Sequence, residues 1–284
     1  MLDDRPLRSV LYVPASKAQA LEKAADLPVD AIVFDLEDAV APEQKDGARD
    51  ALVAVLQDRD YGPRLRIVRI NGADTPWGAD DMSAFAGQPL DAILLPKVNG
   101  PEDVAAAAAS GAPSVWAMME TAEGILNAAA IARAPGLGGF VIGTNDLARE
   151  LGCRTHADRM PLMMALQTCL MAARAGGVPC VDGVYNAFRD DAGLRAECGQ
   201  GRDLGMDGKT LIHPAQVAIA NEIFAPRADE VDLARRQIAA FDAALANGQG
   251  IAVLDGRIVE SLHVASARRT LARAEAIERM GVTA

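Results

Sequence analysis

Two carboxylates, Glu120 and Asp146, each follow a short apolar run that is typical of a buried strand. If these strands are neighbours in a parallel sheet, both side chains lie at its carboxyl edge and can converge there. Two carboxylates with water and substrate oxygens are typical of a magnesium site, because Mg²⁺ keeps several of its waters. The alternative is structural, since Asp146 and Thr121 are also residue types that cap helices.

Arg69 lies in an apolar run, residues 65–71, that is long enough to be buried. A buried guanidinium needs an anionic partner, and its planar fork matches the two oxygens of a carboxylate. One hypothesis is a structural ion pair with Asp35 or Glu37, which follow an earlier apolar run. The other is that Arg69 binds the carboxylate of a substrate, because it lies near the predicted end of a strand.

Three acids, Asp35, Glu37 and Asp38, come close together at the end of an apolar run. A charge run is usually a solvated face, but like charges at a strand end repel unless a cation or an arginine relieves them. We therefore predict that these acids surround the metal ion and hold its coordinated waters. Asp38 is counted among the catalytic residues.

Motifs for several other chemistries are absent from the sequence. The three histidines form neither HxxxH nor HExxH, which argues against a zinc site. No GxSxG is present and no GxGxxG follows a strand, so serine hydrolysis and dinucleotide binding are unsupported. Lys97 could serve as a Schiff-base lysine, but that chemistry would not need the acids.

Eight short apolar runs, most of them ending at a charged residue or a proline, alternate with helical, often Ala-rich stretches. This alternation predicts an α/β fold, a (β/α)8 TIM-type barrel with its active site at the carboxyl ends of the strands. We assign residues 1–226 to the barrel, because Pro226 breaks its last helix. Residues 227–284 are predicted to form a lid or oligomer arm of helices and a hairpin at Asp255-Gly256. The runs are residues 8–14, 30–38, 65–71, 91–97, 114–121, 139–146, 178–183 and 208–214.

The composition narrows the class of partner. A net charge of −11 argues against nucleic acids and anionic membranes. The sequence opens with no basic, apolar leader, and no apolar stretch reaches the roughly 18 residues of a membrane span. The four cysteines form no CxxC pair, as expected of reduced thiols. The sequence therefore predicts a cytoplasmic protein with small-molecule ligands.

Taken together and in order, eight motifs resemble the citrate lyase β-subunit-like branch of the HpcH/HpaI aldolase superfamily. This branch includes malyl-CoA, citramalyl-CoA and citryl-CoA lyases. The resemblance implies a modified barrel that assembles as a homotrimer or a hexamer. It also implies Mg²⁺, which Mn²⁺ could replace, bound by Glu120 and Asp146, with Arg69 and Glu120 contacting the acid group of the substrate. The motifs are RSVLYVPAS, DAIVFDLEDAVAP, VRINGADTPW, LPKV, MMETAEG, GTNDLA, PCVDGVY and GMDGKTLIHPAQV.

The same resemblance implies that CoA is part of the substrate. Surface lysines are usually only solubilising, but a polyphosphate needs cations, which would give Lys17 and Lys23 a function. The positions that border the CoA in CoA-dependent members match Tyr12, Lys17, Lys23, His213 and Pro214.

The C-terminal hairpin departs from the pattern of the resembling enzymes. CoA-ester lyases of this branch have an Asp there, which they supply to the site of a neighbouring subunit. This chain has Glu260 at that place, in GRIVESL. Because Glu can perform the same acid/base task, although it reaches one methylene further, Glu260 is the predicted catalytic acid.

These expectations combine into a magnesium-dependent carbon–carbon lyase. It would cleave a 3-hydroxy-3-carboxyacyl-CoA, such as malyl-CoA or citramalyl-CoA, into an acyl-CoA and a 2-oxo acid by a retro-Claisen reaction, or condense them in reverse. Glu260 would transfer the proton of the acyl-CoA enolate. The alternatives are a CoA-free 2-oxo-acid aldolase, a CoA thioesterase, and a citrate lyase β subunit that acts on an acyl-carrier-protein thioester in a multi-chain complex. A non-catalytic ligand-binding relative also stays open.

Overall fold

Eight parallel strands form a closed barrel in the first of two units, Leu7–Phe224. The computed structural model describes residues 5–281. Each strand pairs with the next one along the chain, and β8 pairs with β1 to close the sheet. The predicted (β/α)8 barrel is therefore confirmed. The strands are β1 (Ser9–Pro14), β2 (Ala31–Asp35), β3 (Leu65–Arg69), β4 (Ala92–Leu95), β5 (Val115–Met119), β6 (Leu137–Ile142), β7 (Cys180–Asp182) and β8 (Gly208–Leu211).

The strands are buried on both faces, which explains why they are continuous apolar runs. Val33, Ile67 and Trp116 belong to a cluster inside the barrel, whereas Ile32 and Phe34 belong to the core that the helices share. None of the described helices is both long and apolar enough to span a membrane. The helices of this unit are α1 (Ala18–Ala24), α2 (Lys45–Asp58), α3 (Gly78–Phe85), α4 (Pro101–Ala109), α5 (Ala122–Leu126), α6 (Ala128–Ile131), α7 (Thr144–Leu151), α8 (Met163–Gly176), α9 (Asp191–Leu204) and α10 (Val217–Phe224).

The second unit contains the C-terminal segment from Ala225 onward. It has its own small core, in which Phe241 and Val259 are buried. Its hairpin turns at Asp255 and Gly256, with φ angles of +49° and +75°, the positive values that a tight two-residue turn requires. The hairpin predicted from the Asp-Gly pair is thus present. The elements are α11 (Ala228–Ala246), β9 (Ala252–Leu254), β10 (Arg257–Val259) and α12 (Ser261–Arg279).

Candidate active site

A cavity of about 310 Å³, which we call the acid cavity, opens at the carboxyl ends of the barrel strands. Glu120 and Asp146 both line it, so these two carboxylates converge as the sequence predicts. Glu37 lies beside the cavity, in contact with Arg69 and Lys97. The lining includes Tyr12, Asp35, Asp38, Arg69, Met118, Glu120, Asn145, Asp146, Asn186 and Thr210.

Arg69 is buried at the end of β3, and its guanidinium contacts three carboxylates. Its Nε and Nη2 donate to the two oxygens of Asp35, at 2.7 and 2.6 Å. Its Nη1 lies 2.7 Å from Glu37 Oε2 and 3.4 Å from Asp38 Oδ2. The structural ion pair is therefore present, and a substrate carboxylate would have to share Nη1 with Glu37.

Glu120 follows β5, and among the described residues only one of its two oxygens has a hydrogen-bond partner. The backbone N–H of Lys97 donates to Oε1 at 2.9 Å, whereas Oε2 is buried and unpartnered. Burial, followed by the charge of Glu37, raises the pKa of Glu120 to about 8. A Cβ at position 143 would collide with Glu120, so Gly143 makes room for this carboxylate. A buried acceptor without a donor is uncommon, and a bound cation would satisfy it.

Asp146 lies in the first turn of α7 and not at the end of β6, because the chain turns into the helix before reaching it. Its Oδ1 lies 2.6 Å from Nη2 of Arg149, which is an exposed side chain. Such a pair is weak in water, so the carboxylate is available to a ligand. The charge of Asp146 contributes to the raised pKa of Glu120, in agreement with the cavity that both residues line. Thr121, in contrast, does cap a helix, at the start of α5.

The residues of the cavity fit a divalent cation. Arg69 and Lys97 bring two positive charges to a place where five carboxylates gather. When ionised, the cavity carries excess negative charge that a divalent cation would relieve, and oxygen donors suit Mg²⁺. Within residues 5–281 no group of three or more His, Cys, Asp or Glu side chains is arranged to hold a metal ion. Glu120 and Asp146 would therefore share the ion with water and substrate.

Comparison with known proteins identifies the family to which this chain belongs. The family model described as HpcH/HpaI aldolase/citrate lyase matches residues 8–214. The chain belongs to the HpcH/HpaI aldolase/citrate lyase family. The resemblance seen in the sequence motifs is thus confirmed, and this membership identifies the chain as an enzyme.

Relatives in the HpcH/HpaI family carry different reaction names. (3S)-malyl-CoA thioesterase of Cereibacter sphaeroides is 60% identical over 280 residues, which cover 98% of each chain. L-malyl-CoA/beta-methylmalyl-CoA lyase of the same species is 36% identical over 305 residues, 96% of each chain. The crystal structure of CitE from Mycobacterium tuberculosis in complex with magnesium, acetoacetate and coenzyme A has a TM-score of 0.82 and 31% identity. That match covers 96% of this chain and 99% of CitE.

Lys45 supports the acid-bearing loop of this HpcH/HpaI family member, although the sequence analysis did not identify it. The residue is buried, and its Nζ donates to the backbone oxygens of Leu36 and Glu37, at 2.8 Å each, and to Asn71 Oδ1 at 2.6 Å. The ring of Trp77 lies 5.1 Å from the same nitrogen. Lys45 therefore fixes the backbone that carries the acids after β2. The available signal was a lysine on the otherwise apolar, buried stripe of α2.

Lys97 is an ion-pair partner in this site. Burial alone lowers the pKa of Lys97, but the charges of Glu37 and Glu120 outweigh burial and raise it. Its Nζ lies 3.5 Å from Glu37 Oε1. Because a Schiff-base lysine needs a lowered pKa, this environment disfavours that chemistry.

Tyr12, which the resemblance links to CoA, lies in the acid cavity. Its ring stacks against the guanidinium of Arg69, with 4.9 Å between ring centroid and Cζ. Burial raises the pKa of its hydroxyl, so the group stays protonated and can donate. In the described part of the chain, this hydroxyl donates to the sulfur of Met118, at 3.9 Å. A substrate oxygen would be a stronger acceptor.

The other four residues linked to CoA lie outside the acid cavity. Lys17 and Lys23 line a shallow, open pocket along α1. His213 and Pro214 follow β8 and are exposed, and the imidazole of His213 stacks on Phe188 with 4.6 Å between centroids. Their contacts with CoA stay predictions.

Glu260 belongs to the C-terminal unit, where it is the N-cap residue of α12. Its backbone N–H donates to Nδ1 of His263 at 3.0 Å. The side chain is exposed. Its predicted role as catalytic acid or base stays a prediction.

Proposed function

We propose that this chain hydrolyses the thioester of a 3-hydroxy-3-carboxyacyl-CoA of the malyl-CoA class, with Mg²⁺ as its cofactor. The observation that carries this proposal is the unpartnered Oε2 of Glu120 in the same cavity as Nη1 of Arg69. In this one cavity, Oε2 would offer a position for a cation, and Nη1, which a substrate would share with Glu37, a position for an anion. A metal-bound 2-hydroxy acid requires both. The choice of hydrolysis rests on the thioesterase relative at 60% identity.

The acid end of the substrate would bind among the residues of the cavity. Glu120 and Asp146 would hold Mg²⁺, which supplies Lewis-acid polarisation of the oxygens that it contacts. Arg69 would bind the substrate carboxylate through Nη1, and its pair with Asp35 would keep the guanidinium in place. The Tyr12 hydroxyl would donate to an oxygen of the same substrate.

Asp38 is the proposed general base for hydrolysis. Its side chain is 66% exposed, so it can meet a water molecule, and Arg69 holds it at 3.4 Å. Asp38 would take one proton while the water oxygen bonds to the thioester carbon. The carbon–sulfur bond then breaks, and Asp38 would return its proton to the thiolate. The products are CoA and the free dicarboxylate, whose new carboxyl group loses its proton to solvent. Removing such a base typically costs about 10²–10⁴-fold in rate.

Carbon–carbon cleavage is the second candidate, and the lyase relative at 36% identity favours it. This reaction would leave an acyl-CoA enolate that must be protonated at carbon. Glu260 is the proposed acid for that step, acting in a neighbouring subunit if the chain forms the predicted homotrimer or hexamer. Glu260→Ala would then abolish solvent-deuterium exchange into acetyl-CoA and spare Mg²⁺ binding. Unchanged exchange would exclude this role.

Product analysis separates the two candidate reactions. The purified protein is incubated with (3S)-malyl-CoA and Mg²⁺, and free thiol, malate, glyoxylate and acetyl-CoA are quantified together. We expect thiol and malate in equal amounts and no glyoxylate. Glyoxylate with acetyl-CoA would support the lyase, whereas the absence of all four products would contradict both. Asp38→Asn is the matched variant, and it should bind the substrate yet release thiol at least a hundredfold more slowly.

The proposal includes the oligomeric state and the cellular location of the chain. We propose a homotrimer or a hexamer, which light scattering during size-exclusion chromatography can test. A cytoplasmic location agrees with the four cysteines, which are all free thiols in the structure.

A further inference from the structure

A second cavity of about 340 Å³ lies next to the acid cavity. The two cavities share four lining residues, among them Asn145 and Asn186. The amides of these two residues hydrogen-bond to each other in both directions, at 2.8 and 3.2 Å. They therefore form part of a wall between the cavities, and Asn145 immediately precedes the proposed metal ligand Asp146. The rest of the second cavity includes Arg154, His156, Arg159 and Glu197.

Arg159 is the buried cation of the second cavity, and one of its nitrogens is unpartnered. Its Nη1 donates to both oxygens of Asp182, at 2.7 and 2.8 Å, and its Nε donates to Gln200 at 2.7 Å. Its Nη2 is buried and has no hydrogen-bond partner within residues 5–281. Leaving a buried charged donor unpaired is costly. An unpartnered acceptor marks the cation position of the acid cavity, and by the same reasoning this donor marks an anion position.

The balance of charges around Arg159 is compatible with a bound anion. Lys209 is buried, and its Nζ contacts Asp182 at 3.3 Å and Glu197 at 2.7 Å. The carboxylate of Glu197 also lies 3.7 Å from Nη1 of Arg159. Two buried cations are thus balanced by two carboxylates. Arg154, which lines the cavity and is exposed, then adds positive charge at the mouth.

We propose that the second cavity is an oxyanion-binding site, which takes a phosphate or carboxylate group on Nη2 of Arg159. Arg154, and His156 when it is protonated, assist at the mouth of the cavity. The source of the anion is either a free small oxyanion or the 3′-phosphate of CoA.

The test is calorimetric titration of the 284-residue chain with inorganic phosphate, in chelated buffer at constant ionic strength. Without metal, the negatively charged acid cavity repels phosphate, and the variants at Arg159 and at Arg154/His156 distinguish binding in the second cavity from binding at Lys17 and Lys23. Arg159→Lys keeps a cation for Asp182 but lacks Nη2, and we expect at least tenfold weaker binding. The double variant Arg154→Gln/His156→Gln, at exposed positions, should weaken binding several-fold and fold normally. Arg133→Gln, which removes an exposed arginine outside the cavity lining, should bind like wild type.

Two further titrations identify the source of the anion. If CoA displaces phosphate and dephospho-CoA does not, the site takes the 3′-phosphate of CoA. If neither competes, it takes a free oxyanion. The absence of saturable phosphate binding, as expected if only water fills the cavity, would overturn the proposal. Equal affinity in the wild type and in the double variant would overturn it as well. None of these measurements needs turnover, so the result is independent of the reaction proposed above.

Discussion

Asp35 and Arg69 occupy the same register position on the neighbouring strands β2 and β3, and their side chains form a bidentate ion pair at 2.7 and 2.6 Å. Two of the guanidinium nitrogens are therefore committed to the scaffold, and Nη1 is directed to the acids of the cavity. The structural role of Arg69 and its proposed substrate-binding role are thus compatible, because different nitrogens would perform them.

Arg69→Lys tests the substrate-binding role. Lysine keeps the charge but loses the planar fork, and a misplacement of the substrate by about 1 Å costs roughly a hundredfold. We expect kcat/KM for malyl-CoA to fall by about a hundredfold or more in a steady-state assay. Thermal unfolding of the variant serves as the control for folding. A folded variant with near-wild-type kcat/KM would show that Arg69 is structural only.

The pKa of Glu120 predicts how the stability of the metal-free protein depends on pH. Burial raises the pKa from 4.5 to about 8, so between these values the folded protein binds more protons than the unfolded chain. Stability of the metal-free protein should therefore fall as pH rises through this window, by up to about 1.4 kcal/mol per pH unit. Urea unfolding at pH 5, 6, 7 and 8 with EDTA measures the slope. Glu120→Gln should flatten it, and parallel curves for the two proteins would contradict the assignment.

Lys17 and Lys23 are predicted to bind the phosphates of CoA. The double variant Lys17→Gln/Lys23→Gln should raise KM for malyl-CoA by roughly 30-fold, since each charge-assisted contact contributes of order 1 kcal/mol at an exposed site. A malyl thioester of N-acetylcysteamine, which lacks the phosphates, is the matched substrate. Its kcat/KM should not change. Equal losses on both substrates would indicate a general structural effect.

Lys45→Met tests whether Lys45 positions the acids. The substitution leaves the backbone oxygens of Leu36 and Glu37 and the amide of Asn71 without their donor. We expect the free energy of unfolding to fall by about 2–4 kcal/mol and kcat to fall while the protein remains folded. Urea unfolding and steady-state kinetics measure both. Glu43→Gln, an exposed change beside the same loop, should alter neither quantity, and a wild-type kcat in Lys45→Met would exclude the positioning role.

The barrel and the residues at its rim could be predicted, because each buried strand ends where the sequence turns polar. The predicted position of Asp146 is less accurate, because this residue lies in α7 and not at the end of β6. A polar segment after an apolar run indicates that a strand ends. The same pattern does not indicate whether a loop or a helix follows. The acid still reaches the cavity, because α7 begins at the same edge of the sheet.

The pairing of Arg69 and the role of Lys45 needed three-dimensional information. The sequence left Asp35, Glu37 and a substrate carboxylate as partners for Arg69, because the choice depends on strand register. Lys45 stands on a helical stripe of buried residues, where a charge is costly unless it is hydrogen-bonded. Its three acceptors come from two separate loops, so only the fold identifies them.

Thiol release from malyl-CoA as a function of Mg²⁺ tests the central claim most directly. The chelated wild-type protein should be inactive, and Mg²⁺ or Mn²⁺ should restore thiol release in a saturable manner. Glu120→Gln and Asp146→Ala should stay inactive at every Mg²⁺ concentration, because each removes a carboxylate ligand, although circular dichroism shows them folded. Full turnover in a chelated, metal-free preparation of the wild type, or saturable Mg²⁺ activation of either variant at wild-type affinity, would contradict the account.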